Sequence, residues 1–572
     1  MLVFPKKATP EQKVKLAAHL VPTKQQHEWQ QAELVAFIHF GINTFTNKEW
    51  GSGKEDPSLF NPSELDAEQW VKTLKNAGFN MLILTAKHHD GFCLWPTATT
   101  QHSVASSPWK EGSGDVVKDV KEACNKYKMK FGIYLSPWDR NAPEYGNSPA
   151  YNKMFVDQLT ELLTQYGEIH EVWFDGANGE GPNGKKQEYD WKRFYHVIDS
   201  LQPRAVKAIM GNDIRWVGNE SGLGRETEWS ATPLNPGINQ EIKDEIKRLG
   251  ISSESKDLGS RELIKKAHTL YWYPSEVDVS IRPGWFYHPE QDDQVKSLKQ
   301  LVDIYYQSVG MNSVLLLNIP PDTRGLLHET DVERLKQFGS YINSSFNYNK
   351  ATDKDIQWKA SAGQSKEINI QSGETINTVM LQEDISKGQR VERFKVEGWI
   401  DNTWKPLTEG TTIGYKRLLS FDECMPEKLR VTILETRETA NIMTISAHYA
   451  APLTDSKNMV SLNDISTEKW NTINDNPLAI DLGSQYEFKG FTYNPSEDIE
   501  PVFSYKFYIS DDGKKWKNIK KGEFSNIKNN PIAQFVRFDS SVKARFIQIE
   551  SIRGVDNGKP SIKSSQIGIL VK

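Results

Sequence analysis

Between residues 35 and 320, apolar runs of strand length alternate with segments of helical periodicity, and this alternation restricts the folds open to the chain. The apolar runs lie at 35–41, 80–86, 131–136, 171–176, 206–211 and 313–319, and the helical patterns lie between them at 66–76, 116–128, 151–166, 191–201 and 294–309. Strands separated by helices form a mostly parallel sheet whose faces the helices cover. The Val-Leu-Leu-Leu run at 314–317 suits a strand buried on both faces.

The size of this region predicts an α/β fold of the (β/α)8-like, or TIM-barrel, type. Roughly 300 residues fit eight strand–helix units with insertions better than they fit a doubly wound sheet. In addition, no Gly-rich phosphate loop follows the first strand, which argues against a nucleotide-binding sheet. Strands six and seven are left unassigned, because residues 231–280 are irregular.

A different architecture is predicted after a closing helix at 331–342, for which Thr330 is a plausible N-cap. A polar linker is expected to begin at 343–345, and short runs with period-two alternation and turn signals follow it. A weak internal repeat pairs segment 394–407 with 505–517 and segment 428–433 with 544–549. We therefore predict a barrel domain followed by two β-sandwich domains, with boundaries at 1–345, 346–452 and 453–572.

Composition excludes several classes of protein. The net charge of −5 gives the whole molecule no electrostatic reason to bind nucleic acid. Three widely spaced cysteines, Cys93, Cys124 and Cys424, predict neither a disulfide framework nor a zinc site. No apolar run approaches the length of a membrane span, and segment 1–7 lacks the apolar core of a signal peptide.

Polar side chains recur where the predicted strands end. They are His39 at the first strand, His88, His89 and Asp90 at the second, Tyr134, Trp138 and Asp139 at the third, Asp175 at the fourth, and Asn212 and Asp213 at the fifth, with Glu220 in the fifth loop. The carboxyl ends of parallel barrel strands open into the active site. The polar side chains at these strand ends are therefore expected to line one polar pocket.

Two chemistries suit such a pocket. Carboxylates on separate strands can act as general acid and as nucleophile or base, as they do in glycoside hydrolysis. Alternatively, His39, His88, His89 and Asp175 could ligate a metal ion in a metallohydrolase. The metal is less favoured, because the side chains of adjacent His88 and His89 are expected to diverge.

Several short motifs together resemble a known family. They are Phe40-Gly41 after His39, Glu49-Trp50, Thr85-Ala86-Lys87-His88-His89-Asp90-Gly91-Phe92, Phe131-Gly132-Ile133-Tyr134-Leu135-Ser136-Pro137-Trp138 and Trp173-Phe174-Asp175-Gly176. This joint pattern resembles the α-L-fucosidases of glycoside hydrolase family 29. Segments 215–220 and 278–286 resemble the branch of that family specific for α-1,3/1,4-linked fucose.

The resemblance implies a retaining exo-glycosidase that releases terminal α-L-fucose, for example from Lewis-type oligosaccharides or glycoconjugates. Asp175 would be the nucleophile that forms a covalent fucosyl-enzyme, and Glu220 would be the general acid/base. Glu226, Glu228 and Glu276 compete with Glu220 for the second role. The alternatives are another retaining glycosidase of the barrel class and a non-catalytic, lectin-like fucose-binding protein.

The resemblance also implies a fucose pocket made of polar and aromatic side chains. Its expected residues are His39, Glu49, Trp50, His88, His89, Tyr134, Trp173 and Trp285. For Trp173 and Trp285, plain packing in the barrel or at its rim stays open as the alternative. For Glu49 and Trp50, a structural role in a loop or at a helix start also stays open.

The C-terminal domains resemble galactose-binding-like jelly rolls, and segment 508–516 resembles the discoidin-type, or carbohydrate-binding-module, signature. Calcium is sometimes found in this fold, but no acidic cluster here predicts it, so no metal or organic cofactor is expected. The expected partner is the fucosylated substrate. The resemblance favours a periplasmic or secreted location, and the sequence gives no indication of oligomeric state.

Overall fold

The computed structural model describes residues 1–353, 356–454, 470–496, 498–524 and 526–571. The chain divides into two compact units, Met1–Thr454 and Asp455–Lys572. Within the described residues, no helix has both the length and the apolarity required to span a membrane.

Eight parallel strands form the barrel of the first unit. They are β1 (Leu34–Ile38), β2 (Met81–Lys87), β3 (Lys130–Leu135), β4 (Glu171–Phe174), β5 (Val206–Ile209), β6 (Arg215–Trp216), β7 (Ser275–Ser280) and β8 (Val314–Asn318). Their order in the sheet is β5-β4-β3-β2-β1-β8-β7-β6. The end strands β5 and β6 follow each other in sequence, and the amide of Ile214 donates to the carbonyl of Lys207 between them. The sheet is therefore nearly closed.

Eleven α-helices of the described residues belong to this unit, and most of them surround the barrel. They are Pro10–Ala17, Lys24–Gln30, Ile42–Thr46, Ala67–Asn76, Val116–Lys126, Ser148–Gln165, Trp191–Leu201, Gln240–Leu249, Arg261–Lys266, Leu298–Gln307 and Glu329–Phe346. Local capping starts several of them. For example, the Asp66 carboxylate accepts the amide of Gln69 at 3.0 Å.

Side-chain alternation places apolar residues on both faces of the barrel sheet. Along β1, Val35 and Phe37 point into the barrel and join its inner core, whereas Ala36 and Ile38 point outward against the helices. All five residues of the strand are buried. This double burial explains why the barrel strands are read as continuous apolar runs rather than as alternating ones.

The other strands of the described chain form antiparallel sheets. A small three-stranded sheet contains Leu2–Val3, Thr269–Trp272 and Ala231–Thr232. In the first unit, two four-stranded sheets contain Trp358–Ala360, Ser365–Asn369, Ile376–Glu383, Val391–Ile400, Thr403–Gly410, Arg417–Cys424, Lys428–Thr436 and Ala440–His448. The second unit has one six-stranded sheet of Asn471–Asp475, Leu478–Tyr493, Val502–Ser510, Lys517–Glu523, Gln534–Gly554 and Ile567–Val571. The predicted fold class is confirmed.

The structure assigns the strands that the sequence left open and corrects two expectations. The sixth strand has only two residues, Arg215–Trp216, and the seventh is Ser275–Ser280. Glu220 therefore follows the sixth strand and not, as expected, the fifth. The closing helix begins at Glu329 after the N-cap His328, rather than after Thr330, and continues through the expected linker to Phe346. Ser345 is buried in that helix, which explains why polar residues there do not form a linker.

Candidate active site

Asp175 lies directly after β4, at the carboxyl end of the barrel. Its Oδ2 accepts a hydrogen bond from the hydroxyl of Tyr134 at 3.2 Å, and its Oδ1 accepts one from the backbone amide of Ala177 at 2.7 Å. Nε2 of His89 stands 3.8 Å from the same Oδ2. The Asp175 side chain is 25% exposed, so the carboxylate is held by donors yet remains accessible to a ligand.

Tyr134 supports this carboxylate as a permanent donor. Burial, with the charge of Asp175 second, raises the pKa of Tyr134 well above its ordinary value, so its O–H stays protonated. The Tyr134 ring stacks on Trp173 with the ring centres 5.2 Å apart. It also lies parallel to His88 at 5.6 Å. Tyr134 thus links the wall of the pocket to the barrel interior.

The hydrogen bonds of His39 fix its tautomer. Its Nδ1 lies 2.8 Å from Oδ1 of Asn318, and Nδ2 of Asn318 donates to Ser280 Oγ at 2.9 Å and to the Trp285 carbonyl at 2.8 Å. The amide orientation of Asn318 is therefore set, and Nδ1 of His39 carries the proton. Burial lowers the pKa of His39 to about 4. The ring is neutral, and its Nε2 is a hydrogen-bond acceptor.

His89 has the same tautomer for a similar reason. The hydroxyl of Ser136 donates to the carbonyl of Trp138 at 2.6 Å, so Nδ1 of His89, 2.7 Å away, donates to Ser136. Burial lowers the pKa of His89 to about 4, although the charge of Asp175 opposes the shift. Nε2 of His89 is therefore an acceptor beside a carboxylate. That arrangement suits a ligand hydroxyl that donates to either group.

His88 completes a group of three uncharged imidazoles. Burial, followed by repulsion from His89 and His39, lowers the pKa of His88 well below its ordinary value. Its Nδ1 is buried and makes no hydrogen bond within the described residues. A pocket lined by neutral acceptors favours a neutral, hydroxyl-rich ligand over an anionic one.

Glu49 ties two loops together at the edge of this pocket. Its Oε2 accepts the amide of Trp285 at 2.9 Å, and its Oε1 accepts the amide of Phe286 at 3.2 Å. The same Oε1 lies 2.7 Å from Nε2 of His288, whose Nδ1 contacts Oδ1 of Asn47 at 2.6 Å. Glu49 is 22% exposed and can still reach a ligand.

Two tryptophans of the expected pocket contact different members of the histidine group. The Trp50 ring meets His89 edge-on at 5.5 Å and Trp138 at 5.3 Å. Trp285 lies 5.1 Å from the His39 ring, and its Nε1 donates to Oε2 of Glu220 at 3.0 Å. Trp285 therefore connects Glu220 to the histidine group.

The three competing glutamates are placed differently. Glu228 is buried and paired with Arg215 and Arg225. Glu276 is buried inside the barrel, where it accepts the indole N–H of Trp173 at 2.6 Å. The backbone carbonyl of Glu226 accepts from Arg417 of a β-sandwich strand. Glu220 hydrogen-bonds to Trp285 beside the His39 ring, so it stays the candidate for the second catalytic role.

Several other polar residues at strand ends support the pocket rather than line it. Asp139 accepts hydrogen bonds from the buried ammonium group of Lys87 at 2.9 Å and from the backbone amide of Ala142 at 2.8 Å. Asp90 accepts the amide of Phe92 at 2.7 Å. Asp213 accepts the amide of Lys207 at 3.0 Å. These carboxylates hold the loops whose neighbouring residues form the site.

His288 and Asn318 were not predicted from the sequence. Asn318 closes β8 with a polar side chain, which is the same signal that identified His39 and Asp175. His288 follows the 278–286 segment by two residues but carries no signal of its own. Among the described residues, no group of three or more His, Cys, Asp and Glu side chains is arranged to hold a metal ion.

Comparisons with known proteins agree with this geometry. The α-L-fucosidase family model matches residues 4–345, and the F5/8 type C domain model matches residues 441–563. Alpha-L-fucosidase 1 of Arabidopsis thaliana is 40% identical over 432 residues, which cover 70% of this chain and 82% of that protein.

Solved structures are similar over most of the chain. A Bacteroides ovatus crystal structure assigned to the α-L-fucosidases is 59% identical, covers 100% of this chain and 99% of its own, and has a TM-score of 0.79. A Ruminococcus gnavus glycoside hydrolase family 29 fucosidase in complex with fucose is 31% identical, with 76% and 95% coverage and a TM-score of 0.67.

The barrel and the family match together define a glycoside hydrolase. More narrowly, the chain belongs to the α-L-fucosidases of glycoside hydrolase family 29, with an F5/8 type C domain at its C-terminus. The predicted enzyme class and the predicted discoidin-like domain are both confirmed.

Proposed function

We propose that this enzyme is a retaining exo-α-L-fucosidase in which Asp175 is the nucleophile and Glu220 the general acid/base. The carboxylate of Asp175 supports the proposal most directly, because two hydrogen bonds orient it at the mouth of the barrel while a quarter of it stays exposed. The bond from Trp285 orients Glu220 within the same group of residues.

Two displacements follow from these roles. In the first, Asp175 attacks the anomeric carbon, the bond to the leaving oxygen breaks, and Glu220 gives that oxygen its proton. In the second, the Glu220 carboxylate takes a proton from water, and the water oxygen attacks the same carbon and frees Asp175. Two inversions leave the anomeric configuration unchanged.

Recognition of fucose follows from the surrounding side chains. Neutral His39 and His89 offer Nε2 acceptors to sugar hydroxyls, and the partly exposed Glu49 offers a carboxylate. Trp50 and Trp285 provide aromatic surface for the methyl group and the C–H face of a 6-deoxy sugar. Trp173 is 4% exposed and packs on Tyr134, so we assign it to the floor that supports the pocket.

The linkage proposed is α-1,3/1,4, as in Lewis-type glycans. The support is the resemblance of segments 215–220 and 278–286 to the branch with that specificity. These two segments carry Glu220 and Trp285, which hydrogen-bond to each other. They are therefore well placed to act on the sugar beyond the scissile bond.

One substrate panel tests the linkage. An aryl α-L-fucoside, 2′-fucosyllactose and the Lewis a and Lewis x trisaccharides are incubated with the enzyme, and the released sugars are identified. Fucose from the Lewis compounds but not from 2′-fucosyllactose is expected. Equal rates on both kinds of glycan would refute the linkage while leaving the activity intact, and NMR of the first-formed anomer tests retention.

Two variants test the catalytic roles. Asp175→Ala should abolish turnover while the thermal midpoint changes little. Glu220→Ala should lose more activity on a Lewis trisaccharide than on an aryl fucoside, because a good leaving group needs no proton, and azide should yield fucosyl azide. Glu226→Ala is the matched control. An equal loss on both substrates without an azide product would assign the acid elsewhere.

A further inference from the structure

Three carboxyl groups inside the barrel each accept one indole N–H. Trp29 donates to Glu171 Oε2 at 2.8 Å, Trp173 to Glu276 Oε1 at 2.6 Å, and Trp216 to Asp278 Oδ1 at 2.8 Å. We call these six residues the indole–carboxyl ladder. The proposed mechanism assigns no role to its three acids, although they are buried within the barrel that forms the pocket.

Glu171 and Glu276 are two of the three acids of the ladder, and each has one carboxyl oxygen that receives no N–H or O–H donor. Both side chains are fully buried, at 0% and 1% exposure. Glu171 Oε1 and Glu276 Oε2 find no such donor in the described part of the chain, and the two side chains interact with each other. Two neighbouring buried carboxylates cannot both ionise at modest cost. A proton held between these oxygens satisfies both of them.

The shared proton forms a hydrogen bond between Glu171 and Glu276, and the effect of each acid on the pKa of the other indicates which of them donates it. Burial raises the pKa of Glu171, and the hydrogen bonds from Trp29 and Glu276 work against that rise. Burial and then the charge of Glu171 raise the pKa of Glu276 well above its ordinary value. Glu276 is therefore the donor. Glu276 also acts on Asp278: burial raises the pKa of Asp278 to about 8, and the charges of Glu276 and Asp175 add to that rise.

A continuous set of contacts joins Glu276 to Asp175. Glu276 holds the indole of Trp173, and the Trp173 ring stacks on Tyr134 at 5.2 Å with an interplanar angle of 23°. Tyr134 in turn donates to Asp175 at 3.2 Å. Trp173 also packs on Phe37 at 5.1 Å, so a change in its tilt would be passed to the pocket.

We propose that Glu276 is a positioning residue for the nucleophile: as a neutral acid it donates to Glu171, accepts from Trp173, and through Trp173 keeps Tyr134 bonded to Asp175. This inference rests on the proposed role of Asp175. It assigns Glu276 a function other than the acid/base role for which its position in the sequence made it a competitor.

Isosteric substitution tests the proposal. In Glu276→Gln, the amide N–H₂ can replace the donated proton and the amide oxygen can still accept from Trp173, so kcat should stay within about threefold of the wild type. Glu276→Ala removes both bonds and leaves the Trp173 indole without its acceptor, so kcat should fall roughly tenfold or more with little change in KM. Glu383→Gln, a buried glutamate in a sandwich sheet, is the control and should leave kcat unchanged.

A double variant tests the shared proton itself. Each single change, Glu171→Gln or Glu276→Gln, leaves one donor and one acceptor between the two side chains. In Glu171→Gln/Glu276→Gln, the oxygen of each amide accepts an indole N–H, so the two NH₂ groups face each other and neither finds an acceptor. The loss in kcat and in denaturation midpoint should therefore exceed the sum of the losses in the two single variants. This variant also carries the test if Glu276→Ala does not fold.

Three results would overturn the proposal. They are a kcat for Glu276→Gln as low as that for Glu276→Ala, additive effects in the double variant, and an infrared band for protonated carboxyl groups that is as strong in Glu276→Gln as in the wild type. The infrared and denaturation readouts do not depend on turnover. A wild-type protein without fucosidase activity would therefore refute the proposed function separately.

Discussion

Asn318 is the buried centre of the pocket's hydrogen bonds, and replacing it by alanine is the most informative single perturbation. Its Oδ1 accepts from the amide and from Nδ1 of His39, and its Nδ2 donates to Ser280 and to the Trp285 carbonyl. Ser280 keeps a partner in the variant, because its hydroxyl also donates to the carbonyl of Gly284 at 2.7 Å.

The expected cost follows from the groups that lose their partners. The amide of His39 and the carbonyl of Trp285 are left unsatisfied, at about 1–3 kcal/mol each, so Asn318→Ala should lower the free energy of unfolding by about 2–6 kcal/mol. The His39 ring can move its proton to Nε2, and the pocket then loses an acceptor. Together with a shift of Trp285, this should reduce kcat/KM about tenfold in the folded fraction.

Chemical denaturation and aryl fucoside kinetics on the same preparation measure both effects. Asn312→Ala is a matched control, since Asn312 is also buried and its side chain bonds to the backbone of Tyr415 and Glu228 away from the pocket. The control should lose stability but keep kcat/KM. A variant of Asn318 with wild-type denaturation and wild-type kcat/KM would refute the assigned network.

Three further predictions follow from other features. Burial lowers the pKa of His39 and His89 to about 4, so the unfolded chain binds protons at these residues before the folded protein does as the pH falls. The free energy of unfolding should therefore decrease from about pH 6.5 towards pH 4, by about 3 kcal/mol for each histidine. Denaturation at a series of pH values measures this decrease. Deletion of 455–572, a separate compact unit, should leave kcat on an aryl fucoside within about twofold, and a folded truncate without turnover would contradict this. Dialysis against a chelator should leave that kcat unchanged, and restoration of lost activity by added metal would show that a metal is required.

The residues that could be predicted from the sequence share one physical property. Barrel strands buried on both faces must be apolar along their length, so a polar group such as His39 or Asp175 at the end of a strand stands out. The two-residue strand Arg215–Trp216 has no such run, and its hydrogen bonds to β7 depend on a partner about 60 residues away. Consequently, the sequence leaves the sixth strand unassigned and places Glu220 in the loop of the fifth strand, which is wrong.

The sequence by itself determined the class of fold and the family, because both depend on local patterns: the period of apolar residues and the short motifs at strand ends. Only the tertiary structure decided which glutamate accepts the indole N–H of Trp285 and which nitrogen of His39 carries its proton. It also decided that the side chains of Glu171 and Glu276 interact. These features depend on contacts between residues that are distant in the chain, where hydrogen-bond geometry and burial set the protonation state. No local pattern encodes such contacts.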